Sequence, residues 1–280
     1  MNKTDYMAAI AKNVHDMHQL MLKYKYLYNH YERSQLFDIA RKINRHNPVI
    51  VSESNNLIKE RDLYKSFLTS IEVFDNDFIY DYYDDILKKI TLVRSKSVEG
   101  DDAELEYDIS KGKPTKFYVN LPKTKLTITN QIGFAHEMGH VPEIDKPRKS
   151  FYEYSETIPM FFEYISSLDC YGPVDGKDNF IYERLSMELV EAYNILKIFK
   201  KCDSKNESER LYYTQLFADN YKFLESLDYA LQLIDLYETD KNVVIEEIEK
   251  VIKGKSLIDV SKDLNIDSSG CKRLIKEYKS

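Results

Sequence analysis

The 280-residue sequence has no tryptophan, only three cysteines, eight glycines and seven prolines. Cys170, Cys202 and Cys271 are widely separated and show no Cys-x-x-Cys spacing. A disulfide framework and a thiolate zinc site are therefore excluded as expectations. No apolar run approaches membrane-spanning length, and nothing in the first thirty residues resembles a signal peptide. A membrane partner is not expected, and these features together favour the cytoplasm. Basic surplus is also missing: 40 Lys and Arg stand against 47 Asp and Glu, a formal net charge of -7. That balance argues against nucleic acid as a partner, because there is no excess positive charge to neutralise phosphates. Internal repeats and low-complexity tracts are absent too.

What is present is a globular mixture, 43% hydrophobic and 31% charged. With so few helix breakers and so much Leu, Ile, Lys, Glu and Tyr, the chain reads as mainly α-helical. We expect a single domain over residues 1–280, helical with a small β-sheet beside an active-site helix. Residues 1–96 form its N-terminal helical part and 104–280 its catalytic part. Helical spacing runs from about Tyr6 to Arg33, from Asn56 to Phe74, and from Phe78 to Val93, the last with Phe78, Tyr82, Ile86 and Ile90 at four-residue steps. His15 and His18 lie three apart, and Asp81 to Asp85 is acidic, but a solvated helix face accounts for each pair or cluster. After Lys96 the pattern changes. Leu105, Tyr107 and Ile109 alternate with charged residues, and Lys116 to Leu121 follows a Gly-Lys-Pro turn. This predicts strands within 104–121, the only such region expected.

Directly afterwards comes His136-Glu137-Met138-Gly139-His140. On a helix, residues four apart lie one turn above each other, so His136 and His140 can direct two imidazole nitrogens at one metal ion. Glu137 sits beside that face, where it can take a proton from a water activated by zinc. The helix is predicted over about 129–141, capped by Thr129 or Asn130 and ended before Pro142. Such a centre needs three protein ligands and one open position. A third histidine six residues further on is excluded, since that position is Lys146 and the expected glycine is Glu143. No histidine occurs after His140. The third ligand is therefore expected to be a carboxylate, or something remote in the N-terminal half; among the carboxylates the order is Glu156 first, Glu163 second and Glu143 more distantly. Glu156 and Glu163 are seven apart and share a face of the next helix. Its apolar stripe is Ile158, Phe161, Phe162, Ile165 and Leu168, with Ser155 as a possible cap and Pro159 in the first turn. A loop is expected from Tyr171 to Asn179. Further helices are predicted over about Ile181–Phe199, Glu207–Tyr237, Val243–Ile252 and Lys272–Tyr278.

The segment Asn130 to His140 resembles the active-site helix of zinc metallopeptidases of the thimet oligopeptidase and oligoendopeptidase F type. Glu156-Thr157-Ile158-Pro159-Met160-Phe161-Phe162-Glu163 is similar to that family's second motif, with two glutamates seven apart. Phe117 to Asn120 resembles the strand bordering its substrate cleft, and Gly254 to Asp267 its C-terminal helix. The resemblance implies a short, zinc-dependent gluzincin hydrolysing peptides or oligopeptides. Its metal ligands would be His136, His140 and Glu156, with one Zn2+ per chain and Glu137 as catalytic base. The family also carries a histidine and tyrosines downstream that stabilise the tetrahedral intermediate. Here only tyrosines remain in the comparable region, Tyr212, Tyr213, Tyr221 and Tyr229, and the sequence does not choose among them. The interval from His140 to Glu156 is shorter than in that family, and the proline falls one residue later. Two alternatives remain, the first motivated by the missing downstream histidine and the second holding if the motif is accidental. One is a regulatory protease or metal sensor confined to one partner. The other is a non-enzymatic helical interaction protein.

Overall fold

The computed structural model describes residues 57–98, 103–110, 113–145, 156–176 and 229–255 continuously, with isolated positions between 180 and 227 and between 260 and 265. The sequence-predicted helices over Tyr6–Arg33, Ile181–Phe199 and Lys272–Tyr278 lie outside the described residues, apart from Arg184, which is helical. In chain order the elements are α1 (Glu60–Glu72), α2 (Asp77–Leu87), β1 (Ile90–Ser95), β2 (Glu104–Ser110), β3 (Lys113–Pro122), α3 (Ile128–Asp145), α4 (Thr157–Tyr171) and α5 (Lys241–Ile252). The chain is mainly helical with one small three-stranded sheet, as the sequence predicts.

Asn76 starts α2 by accepting the Ile79 amide hydrogen at 3.0 Å, which satisfies one of the orphan donors at a helix start. The sequence extends this helix to Val93; the structure ends it at Leu87 and makes Ile90–Ser95 a strand. The buried stripe of α2 is Ile79, Tyr83, Ile86 and Leu87, while Phe78 is 40% exposed. Ile90 therefore belongs to the next element and not to a four-residue stripe. Thr91 and Val93 are β-branched, and pairing with a buried central strand suits them better than a solvated helix end.

β3 is that central strand, with β1 on one side and β2 on the other. β1 runs parallel to it (Ile90 beside Phe117, Leu92 beside Val119), and β2 antiparallel (Leu105 beside Val119, Tyr107 beside Phe117). Phe117, Val119 and Leu121 are fully buried, so alternate residues of β3 anchor the sheet on the helices. Tyr64 of α1 donates its hydroxyl hydrogen to the Ile90 carbonyl at 3.0 Å, fixing that layer to β1.

Between the helices, Phe67, Tyr83, Phe134 and Phe162 interlock. Phe67 meets Tyr83 edge-on at 5.2 Å and Phe134 edge-on at 6.1 Å, and lies 5.8 Å from Phe162. Each such ring burial stabilises by roughly 1.5–3 kcal/mol. α1, α2, α3 and α4 thus meet in one aromatic core, with tyrosine and phenylalanine doing what tryptophan does elsewhere. Between residues 173 and 176, where a loop is expected, the chain makes one short helical turn. Among the described residues, no helix is long and apolar enough to cross a membrane.

Candidate metal centre

Two adjoining helices build the site. α3 begins at Ile128, one or two residues before the predicted start, and neither Thr129 nor Asn130 caps it from outside. Instead Asn130, inside the first turn, accepts the Thr127 amide hydrogen at 2.9 Å, closing the turn backwards. The helix also continues to Asp145 through Pro142, where the sequence predicts a stop. Pro142 removes the amide that would reach the Met138 carbonyl. Burial of Val141 and Pro142 against the core keeps the last turn in register.

α4 crosses α3 at Gly139. A Cβ atom added there would stand 2.4 Å from the Pro159 Cα and 2.6 Å from the Pro159 nitrogen. Only a residue without a side chain lets the start of α4 come this close. Glu156 lies three residues before Pro159, at the N-cap of α4. Its amide donates to the Ser226 hydroxyl oxygen at 3.2 Å, and the Thr157 hydroxyl reaches the Ser226 carbonyl at 3.5 Å. Nothing in the sequence singles out Ser226.

His136, His140 and Glu156 converge. His136 Nε2 lies 3.3 Å from His140 Nε2, and Glu156 Oε2 lies 3.2 Å from the first and 3.3 Å from the second. These three residues form a group that could hold a metal ion. A tetrahedral zinc with bonds of about 2.0–2.1 Å sets its ligand atoms about 3.3–3.4 Å apart. The donor triangle already has that size and a suitable nitrogen and oxygen composition, so the residues fit zinc. The two imidazoles keep 13% and 22% of their side-chain surface exposed, against 4% for Glu156, so solvent reaches the cluster from the histidine side.

Glu163, the second candidate for the third ligand, contacts His136 from behind. Its Oε1 lies 2.7 Å from His136 Nδ1, on the far side of the ring from the donor triangle. Arg184 grips the same carboxylate, through Nε to Oε2 at 2.6 Å and through Nη2 to Oε1. Burial alone would lower the His136 pKa, but Glu163 and Glu156 outweigh it and hold the pKa up at about 9. Burial would raise Glu156, and the two imidazoles reverse that, driving its carboxyl far below the usual range. Burial likewise works against Glu163, yet Arg184 and His136 keep it below its ordinary value. The electrostatics thus favour two ionised carboxylates around the histidines.

Glu137 turns toward the sheet. Its Oε2 accepts the Leu105 amide hydrogen at 3.0 Å. Burial raises its pKa, with the two histidines and that amide opposing. Leu105 must therefore direct its amide away from β3, toward the outer edge of β2. Tyr107, two residues on, has its N–H and C=O on the same outer side. β2 is an edge strand, and among the described residues no other strand pairs with that side.

The remaining sequence candidates fall elsewhere. Glu143 lies in the last turns of α3, outside the donor group. Tyr212 is 62% exposed and Tyr229 is buried, while Tyr213 and Tyr221 lie outside the described residues. Ser155, His15 and His18 also lie outside them.

No protein-family model matches the sequence, and no match is found among curated proteins. In three dimensions the chain is similar to the crystal structure of a putative oligoendopeptidase F from Bacillus anthracis str. Ames. The TM-score is 0.53 at 14% sequence identity, over 91% of this chain and 57% of that one. The chain therefore spans a little over half the length of this neighbour and shares its mainly helical fold.

Proposed function

We propose that the chain is a zinc-dependent metallopeptidase that hydrolyses peptide bonds in peptides or oligopeptides. The observation that carries this reading is the donor triangle of His136, His140 and Glu156, with edges of 3.2–3.3 Å, beside a half-buried Glu137. The structural likeness to an oligoendopeptidase supports it. His136, His140 and Glu156 would hold one zinc ion, which lowers the pKa of water and polarises a scissile carbonyl when bound.

The other steps belong to the chain. Glu137, fixed through Oε2 by the Leu105 amide, offers Oε1 to take a proton from the attacking water and return it to the leaving amine. Its raised pKa brings proton affinity closer to neutral pH, which suits both halves of that exchange. The outer edge of β2 would receive the substrate as an added strand, through the carbonyl of Leu105 and the N–H and C=O of Tyr107. This places an extended peptide backbone alongside Glu137.

A mixed library of unrelated short peptides tests the reading. Zinc-dependent cleavage of several of them is expected, and no cleavage by zinc-loaded protein would count against a general peptidase. Cleavage confined to one sequence would favour the partner-specific protease instead.

A further inference from the structure

Arg184 belongs to no motif, yet it takes part in a chain of contacts that leads to the proposed metal centre. Its Nε donates to Glu163 Oε2 at 2.6 Å and its Nη2 to Oε1, so one guanidinium spans both oxygens of one carboxylate. Both side chains are largely buried, 16% and 6% exposed. Glu163 Oε1 is also the atom 2.7 Å from His136 Nδ1, and the opposite nitrogen of that ring lies 3.2 Å from Glu156 Oε2.

An imidazole can rotate about two side-chain bonds, and a carboxylate about its own last bond. A carboxylate held by one partner alone leaves the ring's aim loosely set. A planar two-pronged grip removes the carboxylate's rotation, which a single point charge would not do. A buried ion pair that served folding alone would have no need to share Oε1 with an imidazole. Arg184 lies outside both α3 and α4, so the grip ties a third part of the chain to them.

We infer that Arg184 is a positioning residue for the metal centre. By gripping both oxygens of Glu163, it fixes the carboxylate behind His136 and so aims His136 Nε2 at the point shared with His140 and Glu156. The inference rests on the metal-site reading given above.

The test measures zinc affinity of the full chain by competition with a chromophoric chelator, together with thermal unfolding of the metal-free protein. It compares wild type, Arg184→Gln and the double variant Glu163→Gln/Arg184→Met. Arg184→Gln is expected to weaken zinc binding about 10- to 100-fold, the usual effect of removing a group that orients a ligand. It also leaves Glu163 buried without its cation, which costs stability. The double variant removes that buried charge, so its melting temperature should lie above that of Arg184→Gln. Its zinc affinity should nevertheless stay at least as weak, because a neutral amide no longer places a negative charge 2.7 Å behind His136 Nδ1. Should Arg184→Gln fail to fold, the double variant carries the comparison by itself.

Wild-type zinc affinity in either variant would overturn the inference. So would an affinity that recovers in the double variant along with stability, since that pattern belongs to a purely structural ion pair. Failure of the wild type to bind zinc would overturn the metal-site reading itself, and is distinguishable from both.

Discussion

Replacing Gly139 with alanine should damage the proposed metal centre without touching any of its three proposed ligands. The new Cβ would meet the Pro159 Cα at 2.4 Å, the Pro159 nitrogen at 2.6 Å and the Ile158 carbonyl carbon at 3.0 Å. Carbon atoms in contact settle about 3.5–4.0 Å apart, so α3 and α4 must separate by about 1 Å. All three atoms are backbone, so no side chain can swing away to absorb the clash. Glu156 rides on the start of α4, and its Oε2 would withdraw from nitrogens now 3.2 and 3.3 Å away. Metal–ligand distances tolerate only about 0.2 Å, so a 1 Å displacement removes Glu156 from the donor set.

Stability is a closer contest. Overpacking costs about 1–3 kcal/mol, while alanine gains up to about 1 kcal/mol over glycine within a helix. Chelator competition should therefore show zinc binding weakened at least about 10-fold, with a modest fall in melting temperature. Wild-type zinc affinity in Gly139→Ala would refute the argument that this close approach sets the donor triangle.

Three further outcomes follow from the same geometry. Glu137→Gln should keep its zinc but lose about 10²- to 10⁴-fold in turnover, measured on any peptide the wild type cleaves; near-normal turnover would remove Glu137 from the mechanism. With its pKa raised to about 9, His136 carries a proton at neutral pH in the metal-free protein. Zinc must displace that proton, so affinity should fall as pH drops below 9. Calorimetry in buffers of different ionisation enthalpy should find about one proton released per zinc near neutral pH, and no release would contradict the charge state assigned to His136. Tyr83 is fully buried and its hydroxyl has no hydrogen-bond partner among the described residues. Tyr83→Phe should leave stability unchanged or raise it by up to about 1 kcal/mol, and a clear fall in melting temperature would reveal a partner for that hydroxyl.

How far the sequence reaches depends on the range of each signal. His136 and His140 are legible because helical periodicity alone brings them together, and the requirement for a third ligand points to a carboxylate. The seven-residue spacing of Glu156 and Glu163 correctly puts both on the face that looks at α3. It cannot say that one meets Nε2 atoms and the other Nδ1 of the same ring, because that depends on how far α4 slides along α3. Gly139 and Pro159 set that slide, and neither signals it without the other in view. The strand β1 is hidden because Ile90 continues a four-residue spacing begun at Phe78, while its true determinant is pairing with residues 117–122. Pro142 misleads for a related reason: local chemistry predicts a stop, and tertiary burial overrides it. Arg184 and Ser226 carry no local signal at all. Arg184 is one of 40 basic residues, and only its position against Glu163 distinguishes it.

The most direct test of the central claim is zinc content per chain, by elemental mass spectrometry, on wild type and Glu156→Gln purified without chelator or affinity-tag metal. The account predicts one zinc per wild-type chain and a markedly reduced content in the variant. A wild type that holds no zinc, even after equimolar zinc is added, would contradict it and leave the helical interaction protein as the better reading.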